Sequence, residues 1–134
     1  MTDSLFSERQ LKFVSQPRIG RLGTISRDGT PHIAPIWYRF TDGVFLVLTE
    51  RGSQKHKNIE RDARVTLCID DERAPYHTVL VRARVVVEEA PGREWREELA
   101  IHYLGDENGK RYIAENMHAN DVMLRITPEK VTGW

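Results

Sequence analysis

Val44-Phe45-Leu46-Val47-Leu48-Thr49-Glu50-Arg51-Gly52-Ser53-Gln54-Lys55-His56-Lys57-Asn58 runs from a short apolar segment through a single glycine into a polar one. The first five residues are aliphatic or aromatic and follow the turn signal Asp42-Gly43, which predicts a buried strand ending near Thr49. Gly52 lets the backbone turn, Ser53 is a good N-cap, and Gln54 to Arg61 contains neither Gly nor Pro, so a helix begins just after Ser53. Lys55 and Lys57 fall in its first turn, where the positive end of the helix dipole makes a cation mildly unfavourable. An anion reverses that sign. The free N–H groups of the first turn, the hydroxyls of Thr49 and Ser53 and the Lys55 ammonium are the right groups to converge on one phosphate. The alternative is a solvated basic helix end offset by Glu60 and Asp62. Thr49 to Asn58 alone leave both readings open.

The chain of 134 residues is the size of one domain, 1–134, large enough to bury roughly two thirds of its unfolded surface. Lys plus Arg and Asp plus Glu are 20 each, so net charge is zero and a general nucleic-acid-binding coat is not expected. Cys68, the single cysteine, lies in an apolar run and is expected to be a small core residue with no disulfide or metal role, which fits a cytoplasmic chain. No apolar run approaches the ~18 residues of a membrane span, and the first residues show no apolar signal-peptide core, so no membrane association is expected.

Outward from the central stretch, Ser7-Glu8-Arg9-Gln10 has capping-box spacing with Phe6 and Leu11 as its hydrophobic staple, predicting a helix to about Val14 or Ser15 before Pro17. Ile19 to Ser26, the Asp28-Gly29 corner and Pro31 to Phe40 form a hairpin. Pro31 and Pro35 offer no N–H to a ladder, so that strand belongs at an edge, at a bulge or beside a ligand. Trp37 on it suits core packing and a site wall equally. Arg64 to Asp70 and the long Tyr76 to Glu88 alternate as strands, the latter with Val79, Val81, Ala83, Val85 and Val87 on one face. Arg82 and Arg84 share the other, either solvated or as anion contacts. Trp95, Leu99, His102 and Tyr103 fall on one face of a helix. Gly105 to Gly109 reads as a loop, Lys110 to Met117 as a short helix, and Val122 to Thr127 as a last strand. Trp134 at the tail needs cover, from a partner or a pocket.

Much chemistry is missing. The five histidines show no metal-ligand spacing with one another or with Cys68, no Gly-x-Ser-x-Gly, P-loop or Gly-x-Gly-x-x-Gly motif occurs, and the carboxylates are scattered. No metal is expected and no catalytic residue can be named. Any catalysis would rest on a cofactor whose phosphate is the handle.

The order of these signals resembles the pyridoxamine 5′-phosphate oxidase-like family, and more narrowly its short bacterial branch of F420-dependent enzymes. The specific parts are Asp28-Gly29-Thr30-Pro31-His32 with Pro35-Ile36-Trp37, and Thr49 through Asp62 followed by Ala63-Arg64-Val65, within a similarity that spans Phe6 to the end of the chain. The resemblance implies an all-β-dominated fold with peripheral helices, a six-stranded split β-barrel of the FMN-binding type. It also implies a homodimer with two cofactor sites at the interface and FMN or the deazaflavin F420 as cofactor. Carried over by position, Thr49, Ser53 and Lys55 contact the phosphate and Asn58 braces the helix start. Pro35, Ile36 and Trp37 run beside the tricyclic ring, and Trp134 or the second helix pair approaches from the partner chain.

Gln54 also belongs to that cofactor-binding set, but FMN-binding members usually carry Ser-Arg-Lys where this chain has Ser53-Gln54-Lys55. Arginine's fork suits a phosphate dianion and glutamine brings no charge, so the change favours the singly charged phosphodiester of F420, unless Lys57 or Arg51 compensates. The long C-terminal substrate segment of true pyridoxamine phosphate oxidases is not seen. The expected activity is hydride transfer from reduced F420, or FMN, to a small unsaturated or oxidised substrate. The alternative is a non-catalytic flavin carrier or sensor.

Overall fold

The computed structural model describes residues 5–116 and 120–134. Helix α1 (Glu8–Val14) opens with the capping box its sequence encodes: the Gln10 amide donates to Ser7 Oγ (3.1 Å) and the Ser7 amide to Gln10 Oε1 (2.8 Å). β1 (Gly20–Ile25) and β2 (Pro31–Ile36) follow as a hairpin whose corner is Gly29 at φ 90°, with Asp28 Oδ1 accepting from the Thr30 amide. β3 (Arg39–Thr41) and β4 (Val44–Glu50) form a second hairpin through Asp42 and Gly43, both at positive φ as the favoured two-residue turn requires. Then come α2 (Gln54–Arg61), β5 (Arg64–Asp71), β6 (His77–Glu89), α3 (Arg93–Leu104), α4 (Asp106–Asn116) and β7 (Asp121–Gly133).

All strands belong to one antiparallel sheet in the order β2-β1-β5-β6-β7-β4-β3. β2 and β3 occupy opposite edges of that order, yet only Trp37 and Tyr38 separate them in the chain. Ile36 and Arg39 therefore lie within ~11 Å of each other. The two edges must meet, so the sheet curls round into a barrel that stays split along the β2/β3 seam. Its interior is filled by Leu22, Phe45, Val47, Leu67, Ile69, Val79, Val81, Leu124 and Ile126, each fully buried. Tyr38 plugs the seam: its ring meets Phe45 edge-on and its hydroxyl donates to the Val14 carbonyl at 2.7 Å, closing the end of α1.

The fold is the expected split barrel, with four corrections. Among the described residues seven strands stand where six are predicted, because the run from Pro31 to Phe40 breaks at Trp37-Tyr38. There the Tyr38 amide donates to the Tyr103 hydroxyl (3.0 Å) and not to a strand. β7 continues through Pro128 to Gly133. The ladder shifts register between Arg82 and Ala83, so the proline sits at a bulge where its missing donor costs nothing. α4 begins at Asp106, so the predicted Gly105–Gly109 loop is helical; Met117, the expected end of that helix, lies outside the described residues. Cys68 is half-buried on the face opposite Leu67 and Ile69, and burial pushes its thiol pKa up. Among the described residues, no helix is long and apolar enough to cross a membrane.

Candidate active site

The turn between β4 and α2 is held by local hydrogen bonds. Ser53 caps α2, accepting from the His56 amide at 3.4 Å, and its Oγ lies 3.0 Å from Thr49 Oγ1. Gly52 sits at φ 84°, and its amide donates to His56 Nδ1 (2.9 Å). Because Nδ1 accepts, the ring proton of neutral His56 is on Nε2, 2.8 Å from Glu60 Oε1. Each hydroxyl of the Thr49–Ser53 pair has one proton and the bond between them uses one, which leaves one O–H to donate elsewhere. The amides of Gln54 and Lys55 open the helix, where no intrahelical acceptor exists.

Helical periodicity sorts the side chains that follow. Lys55 lies on the same face as Asn58 and Ile59, three and four residues on, which are 0 % and 3 % exposed. Asn58 donates through Nδ2 to Thr24 Oγ1 (2.9 Å) on β1 and accepts from Gln54 Nε2 (2.8 Å), which ties the helix start to that strand. Arg61, one turn further, reaches the Ile25 carbonyl. Lys55 is therefore turned inward over the barrel, into a cavity of about 490 Å³ that it shares with Pro35, Ile36, Trp37 and Leu48. It is half-buried and has no ion-pair partner among the described residues.

The opposite wall comes from the helical hairpin. Tyr103 of α3 stacks flat on Trp37, centroids 4.7 Å apart at 3°, while Tyr112 of α4 leans on the same indole at 5.3 Å. The Tyr103 hydroxyl accepts from the Tyr38 amide and donates to the Arg18 carbonyl (2.7 Å), so it ties α3 to the strand break. Burial pushes its pKa up to about 12, against the lowering effect of its bond to the Tyr38 backbone. It therefore remains a neutral donor throughout the physiological range. Arg96 of α3 is paired with Asp121 at the start of β7, Nη1 to Oδ2 2.6 Å, and both border the cavity. The buried stripe of α3 is thus Arg96, Leu99 and Ala100, displaced by one residue from the Trp95-Leu99-His102-Tyr103 face that hydrophobicity predicts. A charged residue hides that stripe from an apolar periodicity.

Four of the nine predicted cofactor-site residues, Pro35, Ile36, Trp37 and Lys55, line the cavity, and Asn58 does not. Thr49 and Ser53, bonded to each other, are not among its lining residues. Gln54 faces a separate open groove with Arg27, Arg51, His56, Lys57 and Arg61. Trp134 is remote from the cavity wall within one chain: its backbone pairs with Thr78 at the far end of β7, and its side chain is 70 % exposed. Arg82 and Arg84 are exposed on the outer face of the barrel, Arg84 at 3.2 Å from Glu129. Arg96, Asp121 and Tyr112 are among the wall residues that motif reasoning misses.

The sequence profile described as pyridoxamine 5′-phosphate oxidase matches residues 6–134. A curated relative, the 5a,11a-dehydrotetracycline/5a,11a-dehydrooxytetracycline reductase of Streptomyces rimosus, is 23% identical over 137 residues, covering 96% of this chain and 82% of that protein. A solved F420 reductase superposes with a TM-score of 0.78 at 22% identity, over 95% of this chain and 98% of its own. An FAD-binding protein from Mesorhizobium loti does so with a TM-score of 0.68 at 23% identity, over 96% and 92%. At these identities the structural likenesses speak for the fold.

Proposed function

The chain belongs to the pyridoxamine 5′-phosphate oxidase family, and on that premise we propose that it is a flavin-type oxidoreductase that uses F420, in preference to FMN, to reduce a small unsaturated or oxidised substrate. The observation that carries this reading is the pairing of Lys55, a cation without a partner among the described residues, with the Pro35-Ile36-Trp37 strand end in one cavity. The residues fit a phosphate-bearing aromatic cofactor. Lys55, the spare hydroxyl proton of the Thr49–Ser53 pair and the first amides of α2 would hold the phosphate, and Ile36, Trp37 and Leu48 supply an apolar wall for a flat ring.

Charge count favours F420. Arg96 is neutralised by Asp121, and Arg51 and Lys57 border the other groove, so among the described residues the cavity wall has a single uncompensated positive charge. One ammonium balances a phosphodiester monoanion and leaves a phosphate dianion half-compensated. When bound and reduced, such a cofactor supplies a hydride. The names of the tetracycline reductase relative and of the F420 reductase neighbour support this direction. Fluorescence titration tests it: F420 is expected to bind at micromolar concentration and more tightly than FMN, and failure of both to bind overturns the reading.

A carrier or sensor of the same cofactor is the second reading, favoured by one observation. Asp121 is the only carboxylate on the cavity wall among the described residues, and it is committed to Arg96. Turnover of enones or quinones with reduced cofactor separates the two. The assembly that fits is a homodimer with interface cofactor sites. Ile33 and Val86 expose 68 % and 59 % of their surface on the outer face, and Tyr76 and Trp134 expose 66 % and 70 % at one end, where the partner's site would cover the indole. An unpaired cysteine suits a reducing, cytoplasmic setting.

A further inference from the structure

Arg96 is 8 % exposed, the one arginine among the described residues that is buried. Its Nη1 donates to Asp121 Oδ2 at 2.6 Å and its Nε to the Pro91 carbonyl at 3.4 Å, while Nη2 has no partner among the described residues. Nη2 is not among the buried side-chain nitrogens and oxygens left without a partner there. The space that Arg96 borders is the cavity.

A buried ion pair contributes little net stability, since desolvation of both charges offsets their attraction. What this pair does provide is direction. Asp121 fixes the guanidinium plane at the junction of α3 and β7 and cancels its net charge, leaving N–H groups that are oriented but no longer a free cation. Such a donor suits an uncharged or enolised oxygen better than a phosphate, whose natural partner on this wall is Lys55.

We propose that Arg96, positioned by Asp121, is a second polar anchor of the cavity and donates from Nη2 to a carbonyl oxygen of the molecule bound there. The inference extends the proposed function. That oxygen belongs either to a conjugated enone acceptor or to a ring carbonyl of the cofactor. On an enone, a hydride supplied by a bound reduced cofactor would add to the β-carbon, the C=C bond would become single, and water would give a proton to the α-carbon. Negative charge builds on the carbonyl oxygen meanwhile, where a fixed donor lowers the barrier.

The test begins with cofactor-free protein. The guanidinium ¹⁵N resonances of Arg96, assigned by their loss in Arg96→Lys, are followed by NMR as 1,3-cyclohexanedione is added. A saturable shift is expected in the wild type, with dione binding weakened about tenfold in Arg96→Lys and in the double variant Arg96→Met/Asp121→Asn. The double variant removes both charges together, so it leaves no uncompensated buried ion to prevent folding. Arg96 resonances that do not move overturn the proposal. A shift in a protein that binds neither F420 nor FMN supports Arg96 and removes the cofactor reading instead. With a cofactor that does bind, a parallel rise in its Kd in both variants assigns the ring carbonyl. An unchanged Kd with a raised KM for cyclohexenone assigns the acceptor.

Discussion

Lys55 reaches the cavity because Asn58 and Ile59 bury the same face of α2, and the helix can satisfy all three only by turning Lys55 inward. Its neighbours Gln54 and Lys57 are turned by the helical step to the other groove. Lys55→Ala is therefore expected to raise the Kd for F420 about tenfold or more, since a charge-assisted contact is lost. Thermal stability should hardly change, because no described residue depends on the ammonium; a matched fall in Tm would mean the lysine is structural. Asn58 is the converse. Asn58→Ala strips Thr24 Oγ1 of its partner in a buried setting and Gln54 Nε2 of one in a part-buried setting, and the buried loss costs about 1–3 kcal/mol. Urea denaturation should show that loss in the midpoint, and cofactor binding should weaken only as far as the helix start loosens.

At the scale of elements, the α3–α4 hairpin makes the far wall of the cavity, and its closeness depends on Gly109. A Cβ there would lie 2.5 Å from the Ile101 amide nitrogen and 2.6 Å from its Cα, both backbone atoms that no rotamer change can move. Gly109→Ala gains up to ~1 kcal/mol of helix propensity. The overpacking costs about 1–3 kcal/mol, so the variant should be less stable. Because Tyr112, Ile113 and Asn116 ride on α4, cofactor affinity should fall with it; unchanged calorimetric stability would show that the helices separate freely. Strand and turn residues were largely legible here. The capping box, the Asp28-Gly29 and Asp42-Gly43 corners and the serine cap at residue 53 are local devices, and they form where the sequence puts them. The break at Trp37-Tyr38 was not, because its cause is Tyr103, 65 residues away.

For the whole molecule, pH acts through groups that folding has shifted. Burial, with Arg9 and Arg18, lowers the pKa of His77, and burial with Arg39 lowers that of His102, so below about 6.5 the unfolded chain binds more protons than the native one. Stability is expected to be flat near neutrality and to fall as pH drops through the range just under 6.5. A further loss is due below about 3.8, where Asp28, Asp62 and Asp71, all depressed by hydrogen bonds, are protonated more readily when unfolded. Urea midpoints across pH 3–8 check both limbs; a midpoint that rises on acidification to pH 6 would contradict the histidine assignment. Light scattering at micromolar concentration is expected to give twice the 15.5 kDa chain mass, and a monomeric mass would remove the interface sites. By itself the sequence determined what depends on near neighbours: alternation along the strands, caps, corners, the turn from Thr49 to Ser53 and the zero net charge. Only the tertiary structure decided which edges of the sheet meet, that Gly109 is a helix contact, and that Arg96 and Asp121 share a cavity wall with Lys55. Those facts come from closure of the barrel, which joins residues far apart in the chain, and no local periodicity encodes where a curled sheet brings its two ends together.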